Sequence, residues 1–456
     1  MTNRISQGVP EGGRFTFGAR NEAQVDLGTA TGDWDEPHPA IDIEASAGEV
    51  TMHRAPLAVE PLTYEQHTWI AENDGMRSRR TMAAASGTYR SSITPPIAGL
   101  ELSLPSDLAA DVEEAVAALT QFNTHARATL GAASPTLGPM SSILLRTEST
   151  SSSQIESLTV GARQLALAEI DESTSGNAQV VIANVRAMEA ALALADRLDS
   201  DAILAMHNHL LSGQRGWEEH AGKYRDQLVW VGSTAVTPIG ASHVAPQPEH
   251  VQAAINDLVV FMGRDDLPVV AQAAIAHAQF ETIHPFVDGN GRTGRALVHA
   301  VMASKGVLTD TTAPISAGLL RDTRGYFDAL TQYHQGDARP IVERFTDASR
   351  FAARSGAHLV DALANEVEET KAAISSLRSD AAAWRLVPHL VAHPVVNAAT
   401  VKKILGTSDM TAQRGLSQLA DAGIIKESTG KMRGRVWHHP GILSVLDSYA
   451  QALHRQ

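Results

Sequence analysis

The stretch from Leu267 to Ile283, LPVVAQAAIAHAQFETI, constrains the fold more than any other part of the chain. Wound at 3.6 residues per turn it is apolar almost all round and rich in alanine, so it has no polar face to turn to water. A helix of that kind must be enclosed by other helices, and its surroundings supply them. LPSDLAADVEEAVAALTQFNTHA opens on Ser106 as a cap and carries Leu108, Val112, Val116 and Leu119 at helical spacing. GNAQVVIANVRAMEAALALADRL is amphipathic, and PEHVQAAINDLVVFM has Pro248 and Glu249 in its first turn. The texture is helical from about Leu62. One segment interrupts it, RDQLVWVGSTAVTPIGASHVAP from Arg225 to Pro246, which reads as a β-hairpin or extended flap between residues 228 and 246. It is the only strand pair expected before the C-terminal region.

A chain of 456 residues is expected to divide into two or three units. Residues 1–60 are rich in Gly, Pro, Asp and Glu without sustained periodicity and read as a disordered tail. A helical unit spans 61–375. From 376 to 456 the texture changes: two short helices, the second starting near Thr411 and ending at Gly423, are followed by a turn and two short strands in STGKMRGRVWHH. That order is a winged helix-turn-helix. Between Val401 and Pro440 there are seven Lys or Arg against three Asp or Glu, in a chain whose formal net charge is −14. Thr411, Gln413, Arg414 and Ser417 open the recognition helix, and Lys431, Arg433 and Arg435 lie on the wing. They make DNA the expected partner of this region, with protein docking or dimerisation as the alternative.

The balance of 43% apolar and 19% charged residues is that of a soluble globular protein, and cysteine is absent, which rules out disulfides and thiolate metal sites. The sequence MTNRISQGVPEGGRF has no apolar core of a signal peptide, and no run of about 18 apolar residues is available to span a membrane. A cytoplasmic protein without a membrane partner is expected.

Directly after the apolar helix comes HPFVDGNGRTGR, His284 to Arg295. Its G-x-G-x-x-G spacing through Gly289, Gly291 and Gly294 raises a dinucleotide fold, but that fingerprint needs a preceding strand within a βαβ unit, and here a helix precedes it. No G-K-[ST] follows, so it is not a P-loop either. As a loop leading into a new helix the segment makes better sense. The glycines let backbone N–H groups converge on the positive end of the helix dipole, which makes an anion nest. Arg292 and Arg295, at i and i+3, share a face and can clamp neighbouring phosphates. Asp288 suits Mg²⁺, which binds through one or two carboxylates and substrate phosphates, and His284 is a proton acceptor near neutral pH. These residue types together point to chemistry on a nucleoside polyphosphate. The pair His207 and His209 could suggest a metal or nuclease site, but residues two apart on a helix face different ways and no carboxylate cluster completes one; both read as structural.

HPFVDGNGRTGR resembles the Fic motif H-x-F-x-[DE]-G-N-G-R-x-x-R at every specified position, and the resemblance extends from about Leu62 to about Ser355. The fold it implies is a mainly α, Fic-type helical bundle with a β-hairpin flap, to which the small winged-helix domain is a common companion. The activity it implies is transfer of AMP from ATP to a hydroxyl side chain of a target protein. In the family's terms His284 takes the proton of the attacking hydroxyl, Phe286 packs the loop onto the core, and Asp288 positions Mg²⁺. Asn290, Gly289 and Gly291 hold phosphate oxygens, while Arg292 and Arg295 neutralise the departing pyrophosphate. The flap aligns an extended target segment, with Val236 to Ile239 as the expected clamp. A phosphorylating branch carries Lys where this chain has Gly291.

LLRTESTSSSQIESL, Leu144 to Leu158, is similar to the family's inhibitory element [ST]-x-x-x-E-[GN], with Ser152 and Glu156 in register on an inhibitory helix spanning about 146–158. The departure is Ser157, where Gly or Asn is usual. The resemblance implies that Glu156 pairs with Arg295 and occupies the seat of the γ-phosphate, in cis or across a homodimer. Three further readings stay open: a DNA-binding regulator using the Fic fold as nucleotide sensor or dimer scaffold, removal of AMP, and use of another nucleotide.

Overall fold

The computed structural model describes residues 54–71, 78–130, 135–234, 236–309, 311–428 and 434–454. The expected tail up to residue 53 and the wing residues Lys431 and Arg433 lie outside the described residues. Residues 54–60 belong to the body rather than to a tail. Leu57 and Val59 join the core, Ala58 bridges Asp337, and Arg54 pairs with Glu343 at 2.9 Å.

The expectation of helix from Leu62, with one strand pair before the C-terminal region, needs correction. Strands β1 (Thr63–Trp69) and β2 (Gly87–Ile93) pair antiparallel in full register, with the short helix α1 (Arg79–Ala84) between them. TYEQHTW and GTYRSSI contain the aromatic and β-branched residues of strands, but both faces of the ribbon are polar or half exposed, so the period-two signal is weak.

The helices then follow as α2 (Ser106–Leu130), α3 (Leu137–Ile155), α4 (Ala162–Glu169), α5 (Gly176–Ala193) and α6 (Ser200–Leu211). Ser175 and Asp199 cap α5 and α6 by accepting from the N–H groups of Ala178 and Ala202. The flap is a minimal antiparallel pair, β3 (Trp230–Val231) with β4 (His243–Val244). Trp69 joins it to the first ribbon: its indole N–H donates to the Val236 carbonyl at 2.7 Å, and its ring meets Trp230 edge-on at 5.2 Å. Next come α7 (Pro248–Met262), α8 (Val269–Ile283), α9 (Asn290–Ser304), α10 (Ile315–Leu320), α11 (Thr323–His334) and α12 (Arg339–Ala373).

Helix α8 is the enclosed element that its sequence demands, with Val270 to Phe280 buried without a break. Its two glutamines do not break the seal, because the side-chain amide N–H groups of both find carbonyl acceptors, although Gln272 Oε1 is left without a partner in the chain. Gln272 donates to the Phe261 and Arg264 carbonyls at the end of α7, and Gln279 donates to Pro95 and accepts from Tyr333. Helix α12, 35 residues and so about 50 Å long, packs first on α2, α8 and α10 and at its far end on α13 and α16.

The C-terminal unit runs α13 (Ala382–Leu390), β5 (Val395–Asn397), α14 (Ala398–Leu405), α15 (Asp409–Asp421), β6 (Lys426–Glu427), β7 (Val436–His438) and α16 (Pro440–His454), with its antiparallel sheet ordered β5-β7-β6. Helix α15 begins at Asp409 because the Ser408 side chain caps it, accepting from the Thr411 N–H. Among the described residues no helix is long and apolar enough to cross a membrane.

Candidate active site

Helix α8 stops at His284, whose backbone takes a left-handed conformation with φ of 47°. That conformation is costly for a residue with a side chain, and the surroundings must hold it there. Arg225 does so. Its buried guanidinium donates to the carbonyls of His284 at 2.7 Å, Gln227 at 2.9 Å and Pro246 at 2.7 Å, and its backbone N–H donates to Pro285 at 3.0 Å. Gln227 and Pro246 are the two feet of the flap, so one side chain ties the flap to the backbone of His284. No sequence pattern announces such a clamp of carbonyls, and Arg225 escaped the reading of the sequence.

The His284 ring is nearly enclosed. Nδ1 lies 3.2 Å from the Glu281 carbonyl, so an Nδ1–H donating there leaves the Nε2 lone pair free. Burial, aided by His243 and Arg225, pushes the imidazole down to about 3, which keeps it neutral. The Glu281 carboxylate stands 3.8 Å from Nδ1, and burial pushes it up to about 7 despite the neighbouring Arg295.

Phe286 is fully buried and stacks on His207 at 3.6 Å between ring centroids. His207 accepts from the Gly222 N–H at Nδ1 and donates from Nε2 to the Asp288 carbonyl at 3.0 Å. Burial depresses it to about 4, so it stays a neutral, structural residue that props the loop, while His209 is exposed. Asn290 closes the turn: its side-chain carbonyl accepts from the Phe286 N–H and its amide donates to the Phe286 carbonyl, both at 2.9 Å. The side chain of Asn290 therefore holds the loop rather than an open position for phosphate. The N–H groups of the first turn of α9 are the ones without helical partners, as at any helix start.

Gly289 has φ of 78°, and a Cβ there would sit 2.7 Å from Leu210. At Gly291 a Cβ would fall 2.6 Å from Glu156 Oε1 and 2.8 Å from Arg295 Nη1, so the missing side chain makes the anion seat. Gly294 faces elsewhere. A Cβ there would meet Phe280 and Glu281 at 2.9 Å, so Gly294 allows α9 to lie close on α8 rather than lining the seat.

Two buried arginines grip Glu156. Arg295 donates from Nη2 to Glu156 Oε1 at 2.8 Å, and from Nε to Ser152 Oγ at 2.8 Å; Arg292 Nε lies 2.7 Å from Glu156 Oε2. The sequence led to Arg295 as the partner; Arg292 is a second one. Glu156 stands one residue beyond the end of α3, and Ser157 behind it takes φ of 64°, which explains why Gly or Asn is the usual choice there. Asp288 Oδ2 accepts from Arg292 Nη2 at 3.2 Å. Burial raises the pKa of Asp288 and Arg292 pulls it back. Asp288 Oδ1 and Arg292 Nη1 are both buried without a hydrogen-bond partner in the chain.

The flap residues Val236 to Ile239 border the β1–β2 ribbon, where the Val236 carbonyl is taken by Trp69 and Ile239 lies against Gly87. On α15, Gln413, Arg414 and Ser417 are exposed and Thr411 is half buried. Arg435 is committed within its own unit, paired with Glu427 at 2.6 Å and lying over the Trp437 ring.

Residues 197–302 match the Fic/DOC family. The chain is 32% identical over 165 residues to the protein adenylyltransferase Fic of Nematostella vectensis, covering 36% of this chain and 33% of that protein. It is 32% identical over 151 residues to the protein adenylyltransferase fic-1 of Caenorhabditis elegans, covering 32% and 26%. It thus spans a third or less of the length of these relatives. A crystal structure of a Fic family protein from Desulfovibrio desulfuricans G20 superposes with a TM-score of 0.45 at 20% identity, covering 74% of this chain and 97% of that one.

Proposed function

We propose that this chain, which carries a Fic domain, transfers AMP from ATP to a hydroxyl side chain of a target protein and is held inactive by Glu156. The observation that carries the reading is that this one turn holds several buried polar atoms without partners, among them the acceptor Asp288 Oδ1 and the donor Arg292 Nη1. Leaving both unsatisfied costs on the order of 1–3 kcal/mol each, more for charged groups. A ligand that brings an anionic oxygen and a cation together satisfies both at once, as a magnesium-bound phosphate chain does.

Among the described residues no three His, Asp or Glu side chains form a metal cage. A hard cation at Asp288 would therefore complete its ligands from substrate phosphates and water, and that donor set fits Mg²⁺. When bound, the ion neutralises phosphate charge in the transition state. The chain's own residues do the rest. The first turn of α9 and Gly291 receive phosphate oxygens, and Arg292 and Arg295 take the charge of the leaving pyrophosphate once Glu156 has left them. His284 Nε2 accepts the proton of the hydroxyl whose oxygen forms the new bond to the α-phosphorus while the bond to the bridging oxygen breaks. The flap, pinned by Arg225, presents the target segment. While Glu156 occupies both arginines, the terminal phosphate has no seat and ATP cannot take the in-line pose.

Parallel incubations of Glu156→Gly with α-³²P and γ-³²P ATP test this. Protein label from the α position alone, abolished by adding His284→Ala, supports transfer of AMP; label from the γ position means phosphorylation. Retained nucleotide binding without label in either means that the domain is a sensor. For the C-terminal unit we favour a winged helix that binds DNA, supported by the exposed face of Gln413, Arg414 and Ser417 on α15. Titration of duplex DNA at two salt concentrations tests that part.

A further inference from the structure

Glu156 does not hang from the catalytic body alone. Along one face of α3, Glu148, Ser152 and Glu156 follow at intervals of four and all meet α9 or its neighbour. Glu148, fully buried, lies 2.9 Å from His299 Nε2 on α9 and accepts from both the N–H and the hydroxyl of Ser316 on α10. The opposite face of α3 is held by the C-terminal unit. Arg146 is buried, donates to the Ala392 carbonyl just after α13, and pairs with Glu169, the last residue of α4. Glu169 in turn stands 3.9 Å from His393 Nδ1.

The chain leaving Glu156 is held by the same unit. Helix α4 begins six residues later and packs Ala166 into a cluster with Val395 of β5, Val436 of β7 and Leu443 of α16. Asp447 on α16 accepts from the Ala162 N–H at 3.4 Å. So both helices that flank Glu156 are fastened to the C-terminal unit, one by a buried guanidinium and the other by an apolar cluster. The joint between α3, α4 and α16 is also incompletely filled: a cavity lined by Ile143, Thr147, Gln154, Val160, Leu446 and Tyr449 lies within it. Close-packed interfaces resist sliding, whereas a joint that contains a partly open, mainly apolar cavity has room for a second arrangement.

We propose that Arg146 is the positioning residue of the Glu156 plug, and that the C-terminal unit, which supplies its acceptor at Ala392, seats or withdraws the plug. The inference rests on the reading of Glu156 as an inhibitor. Arg146 lies ten residues before Glu156, about 15 Å along a continuous helix, so a shift of the Ala392 acceptor is passed rigidly to the plug. A partner that binds the C-terminal unit and moves the end of α13 would release the two active-site arginines without touching them. The glutamate is then the output of a lever whose input is the C-terminal unit.

The test uses the full chain with Arg146→Met and Glu169→Gln together, so that no buried carboxylate is left without its cation. Label incorporated from α-³²P ATP is compared among wild type, this variant, Glu156→Gly and the combination of all three substitutions. The expected result is a rise of roughly tenfold over wild type, in the ordinary range of allosteric coupling, with no further gain when Glu156→Gly is added. Hydrogen exchange of residues 147–158 is read on the same samples and is expected to quicken. A variant that melts like wild type, exchanges like wild type and stays at its basal label while Glu156→Gly is active overturns the proposal. If Glu156→Gly itself takes no label, the transfer reading falls, and the exchange data alone decide: faster exchange keeps the lever, unchanged exchange removes it. Should the double substitution fail to fold, Arg146→Lys takes its place, since it keeps the cation but loses the fork that spans both partners. Faster exchange of residues 147–158 in Arg146→Lys then supports the lever, and exchange equal to wild type overturns it.

Discussion

Ser157 and Arg225 both show how single residues hold this site in costly backbone shapes. Ser157 sits at φ of 64° directly behind Glu156, where a Cβ is penalised. Ser157→Gly is therefore expected to raise the free energy of unfolding by about 0.5–1 kcal/mol, the strain relieved exceeding the added freedom of the unfolded chain. Urea titration followed by tryptophan fluorescence checks the sign. Arg225 commits a buried cation to the carbonyls of His284 and the flap feet. In a Glu156→Gly background, Arg225→Gln is expected to lower kcat by roughly 10–100-fold through misplacement of the base and the target segment. Nucleotide affinity measured by calorimetry should stay unchanged, and parallel loss of both would mean that Arg225 merely supports the fold. The run from His284 to Arg295 was legible in the sequence because its chemistry is contiguous. Arg225 was not, because a side chain that binds main-chain carbonyls distant in sequence leaves no residue pattern. The work of Asn290 and Gly294 was also hidden: the motif fixes their identity, but only the packing shows that one closes the loop and the other admits α8.

Among the elements, α8 was the most legible, since a helix with no polar face has a single fate. The β1–β2 ribbon was the least, because its residues are mostly polar or half exposed and present no alternating apolar face; it meets the flap through Trp69 on Trp230. Helix α15 was readable in outline, though it starts at Asp409 behind the Ser408 cap rather than near Thr411, whereas β5 was too short at three residues to carry a period. Two of the three acids set against the basic residues of this unit are held in ion pairs, Asp409 with Lys402 and Glu427 with Arg435, so the basic excess itself is left in place. Arg414, exposed on α15, is the residue at which the proposed DNA binding is tested. Arg414→Ala is expected to weaken duplex binding and, if its contact is to phosphate, to reduce the slope of log K against log salt by about one. Fluorescence anisotropy across a salt series measures this, and a chain that binds no duplex at low salt has a protein partner there instead.

At the scale of the whole molecule, burial of histidine sets the response to acid. His243 and His439 are depressed to about 4, and His277, His284 and His334 to about 3, all through burial. Each is neutral when folded and takes up a proton on unfolding below its ordinary value of 6.5. Their contribution is therefore present above about pH 6.5 and lost as pH falls towards about 4. Glu169 and Glu281, raised to about 7, act in the opposite direction between their ordinary value of 4.5 and that raised one, but are outnumbered. The melting temperature is expected to fall steadily from about pH 7 to about pH 5, and a flat profile would show that these imidazoles reach water. The central claim, that the turn from His284 to Arg295 moves AMP once Glu156 leaves it, is tested most directly by intact-protein mass spectrometry. Full-length Glu156→Gly incubated with ATP and magnesium should gain one or more AMP-sized increments that are absent from wild type and from Glu156→Gly with His284→Ala. An unchanged mass under conditions where the same sample binds ATP, or an increment that survives loss of His284, would contradict it.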